Sequence, residues 1–229
     1  TKTITAIACI EDGEYSSPVA SLSYIIELKT DSAGLSSLLG TVFQPASGES
    51  LSLTQSLTVS QDLEIETTAS GSKVVLEKDT IITTADGVNF DATALTSATV
   101  AADSLSGLVS GTVINGALQW GIPDITLQFS NPITISIFVG TDLNGQTLTI
   151  MRSVNGAVDW TNDGIVPPAT CVVSQGACAF SATKASFYSA ITPASTGSVS
   201  VSGGGGNDSA SASGVSGYSQ SFATPNEGG

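Results

Sequence analysis

ITLQFSNPITISIFVGTDLNGQTLTIMRSVNGAVDWTNDGIVPPATCVVSQGACAFSATKASFYSAI, residues 125–191, decides the fold class. Short β-branched runs alternate with Asn131-Pro132, Asn144-Gly145, Asn155-Gly156, Asp163-Gly164 and Pro167-Pro168. Gly, Asn and Asp readily supply the positive φ that hairpin turns require, so this punctuation predicts consecutive antiparallel strands joined by tight turns. The expected class is all-β, an antiparallel β-sandwich of immunoglobulin-like or Greek-key type, with room for two sub-domains. Working outward, residues 1–14 read as an N-terminal extended strand, 15–110 as a first β region, 111–192 as a second β region with a Cys hairpin, and 193–229 as a Gly/Ser-rich tail.

Composition narrows the function classes. The chain has 229 residues, a formal net charge of −14, and only 11% charged residues. Five lysines and Arg152 cannot build the basic patch that phosphate neutralisation needs, so nucleic acid is not an expected partner. Histidine is absent, which removes the commonest general base and the commonest nitrogen ligand for metals. No uninterrupted apolar run is long enough for a spanning helix, and no membrane span is expected. The first residues, TKTITAIACI, lack the charged n-region and long apolar core of a signal peptide and read as a processed N-terminus.

In chain order, Lys2 to Ile10 places Ile4, Ala6, Ala8 and Ile10 on one face and Thr3, Thr5, Ile7 and Cys9 on the other, the alternation of a half-buried strand. After the Asp12-Gly13 turn, SLSYIIELKT sets Leu22, Tyr24, Ile26 and Leu28 on one face of a second strand. Ser32 to Leu39 spaces its apolar residues by three and four and predicts a short helix. From Leu51 to Thr84 three strand-like runs follow, with Asp62, Glu64 and Glu66 assigned to a solvated face. A loop leaves the sheet at DGVNFDATAL, and TVINGALQWGI then offers Trp120 as a core anchor. The tail has the composition of a flexible linker. Its Val199, Val201, Tyr218 and Phe222 are candidates to contact a neighbouring subunit.

Cys171 and Cys178 flank VVSQGA, and a Ser-Gln-Gly-Ala turn can bring their side chains together across a hairpin. A disulfide there implies an oxidising, extracytoplasmic location. The plain alternative is a pair of buried thiols acting as small hydrophobes. Cys9 is the odd cysteine, and burial is its favoured fate over an interchain bond or a lipid.

WGIPDITLQFSNPITISIFVG, NGQTLTIMRSVNGAVDW and TCVVSQGACAFSATKASFYSAI resemble a β-sandwich module of large secreted bacterial surface proteins. In that module a Trp-Gly-Ile-Pro strand precedes a Phe-Ser-x-Pro-[Ile/Val] strand, and a Cys-flanked hairpin precedes a Phe/Ser-rich last strand. KDTIITTADGVNFDATAL is similar to a further stretch of those proteins. The resemblance covers half to two thirds of the chain and implies a secreted, extracellular or cell-surface sandwich. Where the module often ends in a His-Phe-Ser-like strand, this chain has Lys184-Ala185-Ser186-Phe187.

Several chemical motifs compete with plainer readings. Ser181-Ala182-Thr183-Lys184 matches the S-x-x-K of serine acylases, but that chemistry needs the Ser at a helix start, and Phe180 and Phe187 favour strand. Asp86, Asn89 and Asp91, and separately Asp142 and Asn144, could donate oxygens to Ca²⁺, yet neither set has the spacing of a dedicated loop, and turn formation explains both. Asn207-Asp208-Ser209 is a glycosylation sequon, and Lys29, Lys78 and Lys184 are candidates for isopeptide cross-links. No catalytic residue, metal or cofactor is assigned.

The expected function is that of an extracellular structural subunit, not an enzyme. Its partners are copies of itself in a surface filament or pilus-like fibre, with cell-surface or matrix components as further partners. Assembly proceeds by β-strand complementation, with Ile4, Ala6, Ala8 and Ile10 as the apolar face of the donor strand. The alternative is an adhesin or carbohydrate-binding module, for which Trp120 and Trp160 are the aromatic candidates.

Overall fold

The structure is a computed structural model that describes the backbone of residues 2–6 and 20–24 and all atoms of 28–67 and 70–194. The strands are β1 (Lys2–Ala6), β2 (Ala20–Tyr24), β3 (Leu28–Asp31), β4 (Phe43–Pro45), β5 (Ser56–Val59), β6 (Leu63–Glu66), β7 (Lys73–Leu76) and β8 (Ile81–Thr84), then β9 (Thr96–Thr99), β10 (Val113–Gly121), β11 (Leu127–Phe138), β12 (Thr147–Ser153), β13 (Thr170–Val172), β14 (Ala177–Lys184) and β15 (Phe187–Thr192). The fold is an all-β sandwich, as the turn punctuation predicts. One sheet has five strands in the order β13-β12-β15-β10-β9. The other has eight, in the order β3-β6-β7-β11-β8-β5-β4, with β14 on the far side of β11. β1 and β2 form a separate two-stranded antiparallel ribbon, with Ile4 opposite Leu22 and Ala6 opposite Ala20.

Period-two patterning drives this layering. β5 and β7 alternate half-buried with buried positions, placing Leu57, Val59, Val74 and Leu76 inside. From the opposite sheet come Leu118, Trp120, Ile150 and Tyr188, all fully or almost fully buried, so one apolar cluster joins both layers. Phe43 meets Trp120 with ring centroids 6.3 Å apart, and Phe180 meets Tyr188 at 5.6 Å, both tilted. Centroid separations in this range contribute about 1 kcal/mol beyond burial.

The central strand departs from the expected breaks. Asn131-Pro132 does not end a strand, because β11 runs continuously over 12 residues. Its register against β14 slips between Gln128 and Ile133, and on its other side the partner changes from β8 (opposite 127–129) to β7 (opposite 134–136). Pro132 carries no N–H, and it falls where no ladder bond is required of it. The Ser130 hydroxyl fills part of the gap by accepting the Ile81 N–H at 2.8 Å.

Three further expectations change. The helix over 32–39 is a single 3₁₀ turn, Leu35–Leu38, because Gly and Ser give weak helical propensity, and of its residues Leu35 is the one that is buried. Consecutive strands do not all pair: the chain leaves β11 for β12, and β13 for β14, by crossing between sheets, and β3 pairs with β6 in parallel. Crossing lets the apolar face of each strand meet the opposite layer instead of water. Glu64, assigned to a solvated face, is only 7% exposed, because Lys29 and Lys73 close over it from the flanking strands. Strands from both sides of residue 110 contribute to both sheets.

Candidate functional site

The five-stranded sheet ends at β13, and the local sequence explains how that edge is made. Pro167 and Pro168 donate no N–H, so the ladder with β12 begins only after them, with the Ile150 N–H donating to the Ala169 carbonyl at 2.9 Å. Leu148 lies opposite Cys171, and the Val173 N–H donates to the Gln146 carbonyl at 2.9 Å. Residues 169, 171 and 173 therefore face β12, and the alternation of an antiparallel strand turns the N–H and C=O of Thr170 and Val172 away from the sheet. Among the described residues, none hydrogen-bonds to these outward groups. Thr170 is exposed, and Val172 is 63% exposed.

The strand stops at a two-residue turn. Gln175 and Gly176 take φ of 53° and 76°, and Ser174 and Ala177 exchange N–H to carbonyl bonds, each 2.9 Å. That is the mirror-image hairpin turn, for which glycine at the second position is favoured. A side chain on Gly176 would also lie 2.9 Å from the Phe138 ring. Beyond the turn the two arms part: β13 stays in the five-stranded sheet and β14 joins β11 in the other. Cys171 and Cys178 form a disulfide with Cα atoms 5.5 Å apart. The bond expected across a simple hairpin thus links the two layers beside an open edge. Both cysteines are buried.

Arg152 anchors the loop between β12 and β13. It is 4% exposed; its Nε donates to the Asp163 carbonyl at 2.7 Å and its Nη1 to the Ala185 carbonyl at 2.9 Å. Its backbone exchanges hydrogen bonds with Thr161, at 2.7 and 2.9 Å. Sequence reading passed over this arginine, because a lone cation in a strand ordinarily faces water. The two carbonyls and the Asp163 carboxylate, 3.4 Å from Nη2, that meet it in the fold make its burial favourable. Beside it, the Tyr188 hydroxyl donates to the Lys184 carbonyl, and burial pushes the Tyr188 phenol up from its ordinary value.

The motifs considered for chemistry resolve into structure. Ser181 lies in β14, and Lys184 at the end of that strand directs its ammonium to Asp163, 2.9 Å away. The Lys184 hydrogen bond is the main cause that holds the Asp163 carboxyl below its ordinary range. Asp91 accepts hydrogen bonds from the N–H and hydroxyl of Thr93 at 2.9 and 2.6 Å, Asp86 accepts from Val88 N–H at 3.3 Å, and Asn144 accepts from Gly176 N–H at 2.8 Å. Among the described residues no group of three or more His, Cys, Asp or Glu is placed to hold a metal ion.

Lys29 and Lys78, considered for cross-links, form ion pairs with Glu64 at 2.8 Å and Asp79 at 3.5 Å. Glu64 also meets Lys73 at 3.1 Å. The Lys29 hydrogen bond is the largest influence on its carboxyl, which lies below its ordinary value even though burial opposes the shift. Trp120 is wholly buried, and Trp160 is half-buried with its indole N–H donating to the Ser106 carbonyl at 2.7 Å.

Of the donor-strand residues, Ile4 and Ala6 lie in β1, paired with β2 of the same chain. Ala8, Cys9, Ile10, Val199, Val201, Asn207, Tyr218 and Phe222 lie outside the described residues. No helix among the described residues is long and apolar enough to cross a membrane. No family model matches the chain, and no curated protein matches it.

Proposed function

We propose that the protein is an extracellular structural subunit that polymerises with copies of itself through β-strand pairing into a surface filament. One observation carries this reading: the N-terminal strand belongs to a ribbon of its own and is not a member of either sheet of the body. A strand that belongs to neither of those sheets can pair with an exposed edge, where main-chain hydrogen bonds give affinity and side chains give specificity. The Cys171–Cys178 disulfide suits an oxidising compartment. Electron microscopy of the purified protein tests the reading. Regular fibres support it, and dispersed particles at high concentration overturn it. A chain lacking residues 1–10 is expected to remain a folded monomer that forms no fibres.

A further inference from the structure

We propose that the outward edge of β13 is the acceptor that binds the β1–β2 ribbon of a second copy, so that each chain carries both halves of a head-to-tail contact. This inference rests on the self-assembly reading and specifies its site. Edge strands invite pairing unless blocked, and the other edges of the body carry blocks. On β4, Pro45 has no N–H and the Phe43 carbonyl is taken by the Gly40 N–H at 2.8 Å. The outer side of β14 is covered where Val166 N–H reaches Ser181 O at 2.9 Å and Thr183 N–H reaches Gly164 O at 2.7 Å. On β9, Ser97 is buried and the Thr99 hydroxyl is bonded to Thr67 and Ser70. β3 presents Lys29 and Asp31, and the Asp31 carbonyl accepts the Gly34 N–H at 3.1 Å. β13 is only three residues long and follows Pro167-Pro168, but among the described residues nothing covers or bonds the outward groups of Thr170 and Val172.

The ribbon needs what that edge offers. An isolated two-stranded ribbon is marginal in water, and a third strand is the usual remedy. β13 is held in place from both ends, by its ladder to β12 and by the disulfide to β14, so little freedom remains to be lost when a strand arrives. Charge favours the same match. With a net charge of −14 two copies repel, yet β1 and β2 read KTITA and ASLSY, and β13 reads TCV, without a single acid among them.

Within one chain the ribbon is not paired with β13. Ser70, just past β6, bonds to Thr99 on β9 at 2.7 Å, which sets the β3–β6 side of the molecule against the edge opposite β13. Across that sheet the distance is roughly 19 Å at about 4.8 Å per ladder step. Pairing a ribbon with a different surface on the next copy is heterologous, and such contacts propagate into rings or filaments.

Val172→Pro tests this directly. It removes an N–H that points away from the sheet and leaves the bonds of residues 169, 171 and 173 to β12 in place, while Cys171 is already in the extended conformation that a following proline requires. The variant should keep its disulfide and unfolding midpoint, sediment as a monomer, and form no fibres. Because its ribbon is intact, it should also cap wild-type fibres, shortening them in proportion to the fraction of variant added. Val172→Lys serves as a second variant should proline disturb folding, with the same two effects expected. If the wild type forms fibres and both variants polymerise equally well, the acceptor assignment is overturned while self-assembly stands. If the variants do not polymerise but leave wild-type fibre length unchanged, β13 pairs with itself and the ribbon is not the donor. A wild type that never polymerises overturns the functional reading itself.

Discussion

Arg152 shows how much a single side chain can hold. Its guanidinium serves the carbonyls of Asp163 and Ala185, which lie in different segments. Arg152→Met keeps the bulk and removes the donors, leaving two carbonyls without them, and it is expected to lower stability by about 3 kcal/mol in urea unfolding, at about 1–3 kcal/mol per abandoned buried group. A change within 0.5 kcal/mol, roughly that of a neutral surface substitution, would remove the anchoring role. Glu64 makes a second prediction, with a defined sign. Its carboxyl lies below the ordinary value of 4.5 because Lys29, and then Lys73, stabilise the ionised form. A depressed folded-state value means that the unfolded chain binds the proton more readily, so this stabilisation is fully present above pH 4.5 and is lost as pH falls through the folded value. Glu64→Gln should flatten the loss of stability in acid relative to wild type; parallel pH profiles for the two proteins would refute the assignment. Neither residue could be ranked from sequence, because an acid alternating with apolar neighbours reads as solvated until the lysines of adjacent strands are seen to cover it.

Among the elements, the β13–β14 corner joins stability to the proposed assembly. Its disulfide closes a short loop, with a sequence separation of 7. Loop-closure arithmetic for so short a ring gives roughly 2.5 kcal/mol. Replacing both cysteines by serine is expected to lower the stability of the monomer by about that amount, measured in denaturant, and to weaken fibre formation further by loosening the acceptor edge. Unchanged fibre yield in that variant would separate the disulfide from assembly. The hairpin itself was legible in TCVVSQGAC, since Gly176 readily takes the positive φ that the second turn position adopts. That its arms divide between two sheets was not legible, because residues of either arm alternate in the same way whichever sheet they join. β11 teaches the complementary lesson. Asn131-Pro132 carries a true local signal, but a proline interrupts a strand only if its missing N–H is needed, and here the ladder changes partners at that point.

For the whole molecule, the net charge of −14 sets the conditions for association. Raising ionic strength from about 0.01 M to about 0.15 M shortens the screening length from about 30 to about 8 Å, so fibre formation should accelerate with salt over that range. Slower assembly in salt would place opposite charges at the contact and contradict pairing between strands that carry no acid. By itself the sequence determined the all-β class, the buried Trp120, the strand character of Ser181 to Lys184 and the hairpin between Cys171 and Cys178, whose bond the structure then shows. Each of these follows from alternation or turn chemistry within a few residues, where the physics is local. Only the tertiary structure decided which strands are neighbours, that Arg152 and Glu64 are buried, and that no described residue pairs with the outward edge of β13. Those outcomes depend on carbonyls, lysines and ladders contributed by distant segments. An edge is open only when every other strand has found its place.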